Sequence, residues 1–418
     1  MIKHIFKTIW NERKINAWIL LELVVVFCIL WFCMDYMSFT LKGLLEPKGF
    51  DINHTYRINI SMKDEGRKIL SSSDAEAKEQ ITEDIWTIYD RIEKYPAIEA
   101  ISFSNQAYPY TGSYSSTSMN VDSVNFGFRI KSVTPGFFDV FKIKLIHGTA
   151  FNWENIATDN PVIISANNDN LFADKNPEKV ELIGAEESAR KVIGVAERNK
   201  RIDYEPYEPI MYSPIKRWSQ SIAGYRELCI RVKPEADKNF RERFAEDMRS
   251  QLQLGYYYLS GIEPISKAKE EYLGWSGYGD NFKSIYSITI FLVINIFLGV
   301  IGTFWFRIQS RRSEIGLRLA LGASKANVKK MFIAETFMLL FLASIIASIV
   351  CVNIAIGDIV KMINVPVPAR GEESVAAIQH LINYGLTFSF LFIISIIAVW
   401  YPANRASKIA PAEALRDE

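Results

Sequence analysis

The sequence predicts an α+β membrane protein with four transmembrane helices, arranged one plus three, and a large two-subdomain α+β extracytoplasmic domain between the first and second. Three observations carry this. Four runs almost free of charge, 17–38, 284–306, 331–356 and 384–402, each approach the ~20 residues a helix needs to cross a bilayer. A long polar stretch, 39–283, separates the first run from the other three. Basic residues also gather on one side. The N-terminal tail carries Lys3, Lys7, Arg13 and Lys14, and 307–330 carries Arg307, Arg311, Arg312, Arg318, Lys325, Lys329 and Lys330. The last segment adds Arg405, Lys408 and Arg416, whereas 357–383 holds only Lys361 and Arg370. The bias places both termini and 307–330 in the cytoplasm and 39–283 outside.

Residues 1–16, with Ile2, Ile5, Phe6, Ile9 and Trp10 among lysines, read as an amphipathic segment on the inner membrane surface. A cleaved signal peptide is the other reading of the first run. Its length, and its ending in Asp35-Tyr36-Met37, favour an uncleaved anchor. Glu22 within it is costly in lipid, so it is either a functional position or a carboxylate at the wet boundary.

In the polar stretch, Tyr56–Met62 alternates as a strand does, and Asp74–Lys94 places Ile81, Ile85, Ile88 and Ile92 at helical spacing before a strand over Ile98–Phe103. The order recurs as strand 227–232, helix 236–252 and strand 257–262. The insert at about 134–215 reads as a second subdomain, with strands at 162–164 and 191–195 and a helix near 168–172. Tyr108–Thr117, rich in turn formers and hydroxyls, reads as a solvated loop, with partner contact as the alternative. Gly274–Gly279 suits a hinge at the lipid interface. Cys229 is the one cysteine of this stretch, so the domain rests on its core and not on an internal disulfide.

Glu335 lies one turn inside the third span and is costly there unless it pairs or snorkels inward. Residues 357–383 form a short outer loop, Pro402 marks the end of the last span, and 403–418 is a cytoplasmic tail.

Chemistry narrows the function. Lys+Arg and Asp+Glu nearly cancel, 48 against 47 in 418 residues, which argues against a nucleic-acid partner. The sequence contains no Gly-x-x-x-x-Gly-Lys-Ser/Thr phosphate loop. His4, His54, His147 and His380 are scattered away from metal-ligand spacing, and no nucleophile elbow or acid–base pair stands out, so no catalytic, metal or cofactor site is expected. The spans lack the ionisable and helix-breaking residues of a midplane solute path, which disfavours a secondary transporter or channel.

The cytoplasmic stretch 307–330 contains an amphipathic helix. Glu314 precedes Arg318 by four residues, the favourable order for an ion pair. Ile315 and Leu319, with Leu317 and Leu321 beside them, give a broad apolar side. Gly322 is placed for a left-handed cap and Ser324 to start the next helix. On these grounds alone the helix is either a membrane-surface anchor or a docking surface.

Arg312–Ser324 resembles the signature of FtsX-like and MacB-like permease subunits of ABC transporters. The tail Pro402–Arg416 is similar to the usual ending of that family. Val133–Phe141, His147–Phe151 and Val192–Val195 resemble, more loosely, the MacB-type outer domain with its two subdomains. The resemblance implies a permease in a bacterial inner membrane that couples ATP hydrolysis by a cytoplasmic ABC ATPase to movement of its extracytoplasmic domain, for export or efflux by mechanotransmission. It implies a homodimer or a heterodimer with a similar chain, contact with lipid, and a periplasmic adaptor. It assigns ATPase coupling to Glu314, Ile315, Gly316, Arg318, Leu321, Gly322, Ala323 and Ser324, while Glu22 and Glu335 stand as candidate intramembrane functional positions on their cost in lipid. ATP would be bound by the partner subunit. Some relatives imply the alternative, a non-transporting mechanotransmitter that regulates an extracellular enzyme or releases lipoproteins. Two departures are visible: MacB-type members carry an N-terminal ATPase that this sequence does not contain, and the first span has no glycine where many members do.

Overall fold

A computed structural model describes residues 13–406 except 122–123, 159–160, 167–175, 177–179, 185–188, 204, 221, 223–226 and 357–372. The amphipathic segment before Arg13, most of the loop 357–383, the helix near 168–172 and the tail after Ala406 therefore lie outside the described residues. The chain forms two compact units, one of residues 43–278 and one joining 1–42 to 279–418.

The mixed unit is built on helices and strands in this order: β1 (Thr55–Met62), α2 (Asp64–Leu70) and α3 (Ala75–Glu93), preceded in the chain by α1 (Arg13–Leu45); then β2 (Ile98–Asn105), β3 (Ser115–Val121), β4 (Val124–Val133), α4 (Phe137–Phe141), β5 (Leu145–Gly148), α5 (Asn155–Thr158), β6 (Val162–Ser165), β7 (Glu181–Ile183), β8 (Ala189–Ala196), β9 (Ile210–Pro214), β10 (Glu227–Val232), α6 (Phe240–Met248), β11 (Tyr257–Pro264) and α7 (Ile265–Trp275). Four strands in the order β11-β1-β10-β2, all antiparallel, make a split β-α-β sheet with α3 and α6 packed into the same core. Alternation produces this core: Ile58, Ile60 and Met62 of β1 and Leu228, Ile230 and Val232 of β10 meet Ile81, Ile85, Ile88 and Ile92 of α3. Each such side chain stabilises by about 1.5–3 kcal/mol. Asp74 starts α3 by accepting from the Ala77 N–H at 3.0 Å. Cys229 is a free, buried thiol on the opposite face of β10, within a second core that includes Phe137, Phe141, Tyr212 and Ile265.

The remaining sheet closes on itself. The order β4-β3-β7-β8-β6-β9 is completed by a parallel pairing of β9 with β4, Arg129↔Ile210 through Val133↔Pro214. The strands of 134–215 therefore complete a ring with β3 and β4. A two-pair ladder, Ser104↔Val133 and Asn105↔Ser132, joins this ring to the split β-α-β sheet.

The solvated-loop reading of Tyr108–Thr117 holds for Gly112, Ser113 and Tyr114, which are exposed and outside regular elements, and is corrected on either side of them. Ser115–Thr117 already belong to β3, and Tyr110 and Thr111 are buried. Tyr110 has φ +67 and turns its ring inward, where its hydroxyl finds a buried carboxylate.

The second unit comprises α1, α8 (Tyr278–Ser310), α9 (Arg312–Ala320), α10 (Lys325–Ile356) and α11 (Glu373–Ala406). Four of these helices are long and apolar enough to cross a membrane, within 16–45, 278–299, 325–354 and 378–405. Leu23, Phe27 and Leu30 of α1 share a core with Leu339, Ala343 and Ala347 of α10 and Leu391, Ala398 and Val399 of α11. The missing glycines of the first span are offset by small residues across from it: Cys28 Sγ approaches the Ala347 carbonyl at 3.9 Å. Helix α11 does not stop at Pro402 but continues through it to Ala406. A spanning helix tolerates the missing N–H when its neighbours re-satisfy the backbone.

Candidate functional site

The short helix α9 is tied to α10 by a four-charge network. Arg311, 7% exposed, stands just before α9. Its Nη1 donates to both carboxylate oxygens of Glu335 at 2.9 and 3.0 Å. Its Nε donates to Glu314 Oε2 at 2.8 Å, and Arg318 Nη2 donates to Glu314 Oε1 at 2.6 Å. Arg311 and Glu335 form the buried pair of this network, whereas Glu314 and Arg318, 38% and 34% exposed, keep contact with solvent. The Arg311 hydrogen bond outweighs partial burial and holds the Glu314 carboxyl below its usual range. Glu335 is 1% exposed and sits in α10, so the costly intramembrane carboxylate has a definite partner.

The apolar side of α9 is split. Ile315 and Gly316 are buried, and Ile315 shares the bundle core with Val328 and Phe332. Leu317 and Leu321 point the other way, 51% and 79% exposed. The broad single face expected from composition does not form, because residues two apart on a helix diverge by about 200°. Gly322 has φ +90, and the Ala323 N–H closes on the Arg318 carbonyl at 2.9 Å, a left-handed cap that a side chain would strain. Ser324 caps α10 by accepting from the Asn327 N–H at 3.2 Å. Two caps and an ion network thus fix where the exposed leucines stand.

Glu22 is exposed on α1 and lies over the backbone of α8: a Cβ added at Gly299 would come 2.6 Å from its Oε1. The sequence offered no signal for a second polar centre in the bundle. Asp35, 3% exposed, accepts from Asn383 Nδ2, and Ser38 Oγ donates to Asn383 Oδ1 at 2.9 Å. Trp31 stacks on Tyr384 and His380 at 5.4 and 5.6 Å beside it. Asp35 reads as a span ending and Asn383 as loop, yet α1 runs on to Leu45 and α11 begins at Glu373. Of the other described histidines, His54 pairs with Asp237 at 2.7 Å and His147 lies on β5.

Residues 286–411 match the family described as FtsX-like permease C-terminal. The chain is 22% identical over 292 residues to the macrolide export ATP-binding/permease protein MacB of Neisseria gonorrhoeae, covering 68% of this chain and 42% of that one. It is 24% identical over 311 residues to the uncharacterized ABC transporter permease YvrN of Bacillus subtilis, covering 69% and 70%. The periplasmic region of MacB from Actinobacillus actinomycetemcomitans superposes with a TM-score of 0.33 at 16% identity, over 55% of this chain and 97% of that one. The chain thus spans less than half the length of the gonococcal relative. Arg311, Glu314, Arg318 and Glu335 all fall inside the family match. Residues 286–411 thus match an FtsX-like permease domain, and the chain is similar to MacB-type and other permease proteins of ABC transporters.

Proposed function

We propose that this permease couples ATP hydrolysis by a cytoplasmic ABC ATPase subunit to movement of its mixed α/β unit, driving export or efflux by mechanotransmission. The mixed unit stands outside a bacterial inner membrane, its two halves act as subdomains, and both termini are cytoplasmic. The observation that carries the reading is the construction of α9. Its inward side is locked by Arg311, Glu314 and Glu335, while Leu317 and Leu321 stand exposed beside the Gly322 cap. Glu314, Arg318 and Glu335 fix the helix, Ile315 and Gly316 seat it, and Leu321, Gly322, Ala323 and Ser324 present the docking edge. A push on that edge passes through a buried bidentate ion pair directly into α10. ATP binds the partner subunit. Two copies of this chain, or one copy with a similar chain, complete the permease, and an external adaptor continues the route.

Leu321→Asp places a charge on the docking edge and touches nothing in the core, since Leu321 is 79% exposed. Stimulated ATPase activity of the purified complex should fall at least tenfold, with membrane insertion unchanged. Unaltered activity would make α9 a surface anchor.

A further inference from the structure

We infer that the segment 198–208 is a junction holding together both chain ends of the mixed unit, with Asp203 as its positioning residue. Its described residues lie between β8 and β9, in neither the split β-α-β sheet nor a regular helix. One end of the unit is Gly43–Gly49, which continues from α1. Lys200, with a fully buried side chain, donates from Nζ to the Gly43 carbonyl at 2.8 Å and pairs with Glu46 at 2.9 Å. The Lys200 N–H donates to the Lys48 carbonyl at 2.9 Å, and the Tyr207 hydroxyl to the Pro47 carbonyl at 2.6 Å. Gly49 adopts φ +76, and a Cβ there would meet the Arg198 carbonyl oxygen at 2.2 Å. Only glycine allows so close a passage.

The other end of the unit is α7, which leads into α8. Arg201 Nη2 donates to the Tyr272 hydroxyl at 2.8 Å. Between the two ends sits Asp203, 1% exposed. Lys48 Nζ lies 2.5 Å from its Oδ1, and Lys269 Nζ lies 2.7 Å from its Oδ2. The Tyr110 hydroxyl donates to the same Oδ2 at 2.9 Å, which brings in the loop before β3. One carboxylate therefore binds a lysine from the segment that follows α1 and a lysine from the helix that precedes α8. Without it, two partly buried ammonium groups of like charge face each other with no carboxylate between them. Neither end can shift alone without separating its lysine from Asp203. On the coupling reading proposed above, this makes Asp203 the point where movements arriving along the two chain ends are combined.

The test uses the full chain in lipid nanodiscs with spin labels at Leu45→Cys and Glu271→Cys, both exposed and both within the mixed unit. Pulsed electron resonance should give one narrow distance. Asp203→Asn should at least double its width at a temperature where circular dichroism shows the fold intact; Lys48→Met should do the same, and Asp203→Glu should restore the narrow distance. A width unchanged by Asp203→Asn and Lys48→Met overturns the junction. A separate arm adds ATP to the chain co-purified with its ATPase. A distance shift present in the native chain and absent in folded Asp203→Asn, with ATP hydrolysis retained, supports the combining role. A native distance indifferent to ATP overturns that role and counts against the coupling reading, leaving the nucleotide-free comparison to judge the clasp.

Discussion

Glu335 in the helical unit and Asp203 in the mixed unit are both 1% exposed carboxylates, but they are held in different ways. Glu335 is met by a planar guanidinium whose Nη1 bridges both its oxygens, and the same guanidinium reaches back to Glu314. The planar group, with Nη1 on Glu335 and Nε on Glu314, fixes direction as well as distance, so the start of α9 is oriented on α10. Asp203 is met by two lysines and a tyrosine. Ammonium groups are point charges on flexible stems, so they fasten two chain segments without dictating their angle. Burial pulls the Asp203 pKa upward, but hydrogen bonds and charge from Lys269 and Lys48 prevail and leave it below the usual aspartate range. The contrast teaches where stiffness and compliance reside: a stiff hold at the start of α9, a tether at the junction.

The comparison is broken most severely at Arg311. Arg311→Ala removes the fork from a buried carboxylate and should cost about 3–5 kcal/mol, read as a fall in the thermal midpoint of the purified chain. Arg311→Met combined with Glu335→Leu should cost less than Arg311→Ala, because no buried charge is stranded. A double variant as unstable as the single one would mean that the ion pair itself, and not charge compensation, holds α9.

A smaller effect sharpens the mixed-unit side. Lys131 is buried on the ring, 6.0 Å from the Tyr212 ring centre, with no ion-pair partner among the described residues. Burial lowers its pKa to about 8. The sign is opposite to that of a paired lysine. Below pH 8 the folded state carries the full penalty of a dry charge, and stability rises with pH between about 8 and the unfolded value of about 10.4. Lys131→Met should therefore stabilise the unit by about 3 kcal/mol at neutral pH and flatten that alkaline rise, measured by calorimetry across pH 7–10. A loss of stability would show that the ammonium has a partner it needs.

Much of this was legible because it is local. Hydropathy marks four spans, alternation marks Tyr56–Met62, and helical spacing marks Ile81, Ile85, Ile88 and Ile92. The Glu314–Arg318 pair, the φ of Gly322 and the Ser324 cap follow from residue types at fixed offsets. Other features depend on contacts distant in sequence. Arg311 looks like one basic loop residue among seven until α10 brings Glu335 to it. Asp35 and Asn383, 348 residues apart, meet only because both helices extend past the hydrophobic windows. The β4–β9 pairing that closes the ring, and the inward turn of Tyr110 toward Asp203, likewise have no signature within any short window.

The central claim is that the exposed edge of α9 touches an ATPase subunit. A photo-crosslinking residue at Leu321, with Ile315 as the buried control, tests it inside the native membrane. The account predicts a covalent adduct of this chain with an ATPase subunit from position 321, and none from position 315. Adducts from position 321 with lipid alone would contradict it.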